Sequence, residues 1–234
     1  MNKRTIILFF GLLGLVGLGW VGGRLKGPAD SPPQQAEKAP VQIIKEPALV
    51  ATRTFDPAAP PPDMPPLHAF EIAVCDSDFV SNANVGGESR AKDSTHATIT
   101  IKHVSVTLDL HVKIWLPVQA AQHVIEHEDG HRQISEYYYQ SADKIADQIA
   151  ERYIGRQIEI TGSDLNAASS ETLQQLAAEI TAEYNEELNP GPTQELYDTI
   201  TDHSRNETVA KDAAVAAINN AEIAAIRPAA NPGN

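Results

Sequence analysis

His127-Glu128-Asp129-Gly130-His131 sets two imidazoles four residues apart with a carboxylate beside the first. On a helix, residues at that spacing stack on one face, so both rings can reach a single metal ion. Glu128 then projects beside the ion, placed to take a proton from a water held there rather than to bind the metal. Zinc suits imidazole nitrogen, and a catalytic zinc typically takes three protein ligands and a water whose pKa falls to about 7. The chemistry expected of this spacing is hydrolysis of a peptide or other amide bond. His127 and His131 would be ligands of one Zn2+ ion, and Glu128 would be the general base that passes the proton on to the departing amine.

The third ligand must come from farther along the chain. The longer pattern H-E-x-x-H-x-x-G-x-x-H does not continue here, because Ile134 and Tyr137 occupy its glycine and last histidine positions. Two segments offer candidates. One is a helix predicted over Ser170 to Leu188, carrying Glu171, Glu179, Glu183, Glu186 and Glu187, most of them read as a solvated face. The other is Tyr197 to Ser204, which holds His203, the only histidine after His131. His203 is favoured over the glutamates, with Asp198 and Asp202 near enough in sequence to orient its ring. Ser204 and Glu207 resemble a capping box, which puts His203 where a helix begins or bends. His123 reads as a surface residue, and Tyr137, Tyr138 and Tyr139 as packing residues rather than donors to an oxyanion.

The motif needs a scaffold. From Val104 to Leu116 every even-numbered residue is apolar, and all the odd-numbered ones but Trp115 are polar or charged, the period of a strand half-buried on a core. Ile99 and Ile101 alternate in the opposite phase, which predicts a bulge or tight turn near Lys102-His103. Phe70 to Val74 is a candidate partner for this strand. His96, His103 and His111 fall on or near the polar face and read as solvent-facing. If the strand lay at a sheet edge, an extended substrate could add to it. Pro117 ends the strand and suits a helix start. Helical spacing then runs through Ile134, Tyr138, Ala142, Ile145, Ile149 and Tyr153, with Gly130 as the expected weak point and Gly155 as the stop. An Ala-rich helix is expected from Ala210 to Ile226, ended by Arg227-Pro228.

The HEDGH motif, followed by Tyr197-Asp198 and Thr201-Asp202-His203-Ser204, resembles a bacterial family described as predicted secreted zinc-dependent proteases. Its pattern is H-E-x-G-H and, some 70 residues later, Y-D-x-x-T-x-H-G, with Ser204 standing here for the final glycine. The resemblance covers roughly residues 70 to 220. It implies an α+β, zincin-like fold, in which a small antiparallel sheet packs on a long metal-binding helix and the C-terminal half is helical. It implies zinc at His127, His131 and His203, with Glu128 catalytic.

The rest of the chain bears on location. Lys3-Arg4 precede an apolar run from Thr5 to Val21, the pattern of a signal peptide or retained anchor, and the lack of a clear cleavage site favours the anchor. The organisation expected is an anchor or signal peptide over 1–26, a Pro-rich disordered stalk over 27–66, a metallopeptidase domain over 67–227 and a disordered tail over 228–234. Eleven of the 39 residues from 28 to 66 are proline, which motivates the stalk. This places the protein in a bacterial cell envelope, held on the inner membrane and facing the periplasm, or secreted if the segment is cleaved. Net charge is −13, and the first 26 residues hold four cations and no acid, so the remainder carries −17. Such a surface repels nucleic acid. The partners expected are therefore a peptide or protein substrate, the membrane through the N-terminal segment, and an envelope protein. Cys75, the single cysteine, excludes an intrachain disulfide and reads as a small buried hydrophobe. The alternative to a peptidase is a non-catalytic, metal-stabilised envelope binding or scaffold domain, which would have no need of Glu128.

Overall fold

A computed structural model describes residues 39–68, 71–206 and 208–226. The N-terminal segment 1–26, Phe70, Glu207 and the tail 228–234 lie outside these residues. The elements run β1 (Val41–Lys45), β2 (Leu49–Phe55), β3 (Val74–Ala91), β4 (His96–Pro117), α1 (Gln122–Gln140), α2 (Ala142–Glu151), β5 (Gln157–Thr161), α3 (Leu165–Glu187), α4 (Gly191–Thr201) and α5 (Ala210–Ile226). The class is α+β.

β4 is the trunk of the sheet. β3 lies antiparallel along one side of it, and β5, β1 and β2 line up end to end along the other. The alternation read in the sequence is the burial pattern: Val104, Val106, Leu108, Leu110 and Val112 are buried, with polar residues between them on the opposite face. The phase change has the expected cause. Gly86 pairs with His103 and Gly87 with Ile101, leaving Lys102 as the extra residue of a bulge. The inward set switches there from Ala97, Ile99 and Ile101 to Val104 onward.

Three expectations are corrected. The sheet is not antiparallel, because β1 and β2 both run parallel to β4. The segment 27–66 is not all stalk, because β1 and β2 lie in it and the folded unit does not begin at residue 67. Its prolines bracket the strands instead of interrupting them: Pro40 precedes β1, Pro47 separates β1 from β2, and Pro57 follows β2. Pro is excluded only where the ladder needs its N–H, so strands can form between prolines. Finally, the long helix breaks at Ser141 and not at Gly130. The Ser141 hydroxyl donates to the Tyr138 carbonyl, taking an acceptor from the helical ladder.

One core fills the space between the sheet and α1, α2 and α3, and contains Leu108, Leu110, Ile149, Ile180 and Tyr184. A second, smaller core joins α1, α4 and α5 through Ile134, Tyr197 and the alanines 210, 213, 214 and 217. The small side chains of α5 let it lie close against α1 and α4, which holds α4 beside the motif. Among the described residues, no helix is long and apolar enough to cross a membrane.

Candidate metal centre

α1 starts after the turn that follows Pro117, and the motif occupies its second and third turns. His127 is 6 % exposed and Glu128 5 %, unusual values for groups that carry or accept charge. Burying such groups costs free energy unless partners offset it, so their surroundings identify their task.

The partners come from α4, where Gln194, Tyr197, Asp198 and Thr201 recur at helical spacing on one face. Tyr197 fixes the approach. Its ring stacks on His127 at 5.0 Å and meets His131 edge-on at 4.7 Å, while its hydroxyl donates to the His127 carbonyl at 3.0 Å. Asp198 follows at once. Its Oδ1 lies 3.0 Å from His131 Nε2 and 3.3 Å from His127 Nε2, and the two Nε2 atoms are 3.2 Å apart. Ligands about 2.0–2.1 Å from a tetrahedral ion lie about 3.3 Å from one another. The three donor atoms thus already form nearly the triangle that a bound ion requires, and these residues can hold a metal ion.

The hydrogen bonding behind His131 is consistent with this. Gln194 donates through Nε2 to the His131 carbonyl at 3.1 Å and to Ser135 Oγ at 3.0 Å, which leaves its Oε1 facing His131 Nδ1 at 2.6 Å. An amide oxygen only accepts, so Nδ1 carries the proton and neutral His131 presents a lone pair on Nε2. Two electron-rich atoms, Nε2 and Asp198 Oδ1, then face each other at 3.0 Å. Either a proton or a metal cation must stand with them. His127 Nδ1 is buried without a hydrogen-bond partner among the described residues.

The titration directions follow. Burial acts to raise the Asp198 carboxyl, but its hydrogen bonds with His127 and His131 outweigh that and hold it well below the usual range. Burial lowers His127, against the opposing Asp198 hydrogen bond. His131 is also pulled down by burial, yet Asp198 prevails and its pKa is raised. Burial pushes the Glu128 carboxyl up to about 7, with the charge of His131 and the Cys75 backbone N–H opposing, and Asp198 and Glu71 adding to the rise. A carboxyl poised there suits a general base acting near neutral pH.

Of the residues expected at the site, His127, His131 and Glu128 are brought together. His203 arrives beside them: its Nδ1 is buried, without a hydrogen-bond partner among the described residues, 3.6 Å from Asp198 Oδ1. The glutamates of α3 do not belong to the converging set, which is His127, His131 and Asp198. The sequence suggests Asp198 only as a residue that orients a histidine. The available signal was its spacing from Gln194 and Tyr197 on one helix face. Tyr137, Tyr138 and Tyr139 spend their hydroxyls elsewhere, on Glu222, Thr193 and the backbone of Glu46 and Leu108. Among the described residues, β4 has neighbours on both sides and has no edge for a substrate near the site, whereas β3 is paired on one side only. Compared with protein-family models, curated proteins and solved structures, the chain matches none.

Proposed function

We propose that this chain is a zinc-dependent peptidase of the bacterial cell envelope, with the ion held by His127, His131 and Asp198. The observation that carries the reading is a buried carboxylate, Glu128, next to three donor atoms spaced as a tetrahedral ion requires. A structural site would have no use for that carboxylate. Two imidazoles and a carboxylate are a donor set that zinc accepts in catalytic sites, where it polarises a carbonyl oxygen and acidifies water. Glu128 takes the proton of the attacking water and returns it to the leaving nitrogen. The Ser135 hydroxyl, two turns on from Glu128, donates to Ser77 Oγ and holds this face of α1 against β3. Tyr197 and Gln194 hold the two imidazoles in place.

The resemblance to the predicted secreted zinc-dependent proteases is supported by the roles that the shared positions take. Gly130 admits Tyr197, Asp198 completes the donor triangle, Thr201 Oγ1 donates to the Tyr197 carbonyl, and Ser204 lies at a positive φ of 65° where the family has glycine. A zincin-like arrangement and an envelope location, facing peptide or protein substrates and envelope partners, belong to this same proposal.

A second reading rests on His203. If its Nδ1 swung in as a fourth protein ligand, the site would be closed, as in structural zinc centres, and the domain would be a metal-stabilised scaffold. One experiment separates the two. The full chain is loaded with zinc and assayed on a quenched peptide library, beside Glu128→Gln, Asp198→Ala and His203→Ala. The peptidase reading expects one zinc per chain, loss of metal in Asp198→Ala, and retained metal with abolished turnover in Glu128→Gln. Absence of turnover in the wild type, with zinc lost in His203→Ala, would favour the scaffold.

A further inference from the structure

Outside the donor set lies a cavity of about 440 Å³ walled by Phe55, Met64, Leu67, Ile72 and six prolines. Five of those prolines lie between residues 57 and 66, and the sixth is Pro117 at the end of β4. Prolines have no N–H, and their fixed φ stiffens the wall, so the cavity is preformed and offers few donors to a polar guest. Leu67 and Ile72 remain exposed, as does Val118 next to Pro117. Exposed apolar side chains around an apolar hollow mark a place built to be covered.

Its position says by what. Ile72 stands two residues before β3 begins and five before Ser77, whose Oγ accepts at 2.8 Å from Ser135, two turns along α1 from Glu128. A peptide whose reacting bond lies at Glu128 therefore has side chains within reach of the cavity. The volume admits a phenylalanine or leucine side chain together with part of the neighbouring chain, and excludes a folded partner.

We infer that this cavity is the specificity pocket of the chain: it receives a large apolar side chain of the peptide substrate, close to the bond that is cut. The inference rests on the peptidase reading, and its test is arranged to fail separately from it. Met64 is the only methionine other than Met1, so methyl-labelled methionine gives a reporter inside the cavity. Full-length Glu128→Gln protein is titrated with blocked hexapeptides that differ at one position only, Phe, Leu, Ala or Asp. The Met64 methyl resonance should shift and saturate for Phe and Leu, with affinity about tenfold or more above Ala, as burial of such a side chain implies. Ile72→Asp, a change at an exposed position, should remove that preference. An unmoved Met64 signal, or equal affinity for Ala, overturns the inference even if the wild type cuts peptides. Selective binding of Phe and Leu with no cleavage by the zinc-loaded wild type keeps the pocket and overturns the hydrolytic reading.

Discussion

The hydroxyl of Tyr197 occupies the place where a side chain at residue 130 would begin: a Cβ added to Gly130 would lie 2.1 Å from that oxygen and 2.5 Å from the ring carbon bearing it. Gly130 therefore serves the docking of α4 and is not a weak point of α1. The glycine of the motif and a tyrosine 67 positions later are one contact, and that contact delivers Asp198 to the two histidines.

Gly130→Ala should push α4 away and spoil the donor triangle. Overpacking of this kind costs about 1–3 kcal/mol. The expected outcome is a lower unfolding midpoint together with weakened zinc binding, measured by thermal melting and competitive chelation. An alanine variant that melts and binds zinc like the wild type would mean that Tyr197 does not hold α4 where described.

Gln194 should matter only through the acceptor it gives His131. Gln194→Leu should lower zinc affinity about 10–100-fold, the usual cost of losing a group that orients a ligand. Gln194→Glu keeps an acceptor facing Nδ1 and should recover much of it. Equal loss in both variants would point to packing instead, and nitrogen NMR of His131 would show directly whether Nδ1 stays protonated.

Asp202, His203 and Ser204 take consecutive positive φ values of 47°, 51° and 65°. L-residues pay roughly 1–2 kcal/mol each in that region, and glycine does not. After allowing for the greater freedom of glycine in the unfolded chain, Ser204→Gly should stabilise the protein by about 1 kcal/mol. Denaturant melts decide it, and a midpoint that falls would contradict the backbone geometry at this turn.

Cys75 supplies a pH dependence. Burial is the main cause that pushes its thiol up from 9.0 to about 12, with the charge of Glu128 adding to it. The folded state thus holds this proton where the unfolded chain releases it. The contribution is complete below pH 9 and is lost as pH rises from 9 towards 12, at up to about 1.4 kcal/mol per pH unit. Stability of the wild type should fall more steeply across pH 9 to 11 than that of Cys75→Ala. In the native protein at pH 8, alkylation of Cys75 should be much slower than in denaturant.

The features legible in the sequence are those with short-range causes. His127 and His131 share a helix face because four residues make about one turn, whatever surrounds them. The inward set of β4, and its change of phase at Lys102, follow from alternation alone, and the Ala-rich run from 210 to 226 forms its helix to those bounds. What lay beyond reach depends on contacts between distant segments. That β1 and β2 join the sheet in parallel is decided by the open side of β4, not by their own proline-bracketed residues. The same holds for the candidate metal centre. Whether Asp198 or His203 stands closest to the two imidazoles is set by the angle at which α4 docks on α1, and that angle is set by Tyr197 against Gly130 and by the alanines of α5. Residue types supplied the candidates, and only packing could rank them: Asp198 Oδ1 falls 3.0 and 3.3 Å from the two imidazoles, while His203 Nδ1 stands behind it, 3.6 Å from that oxygen.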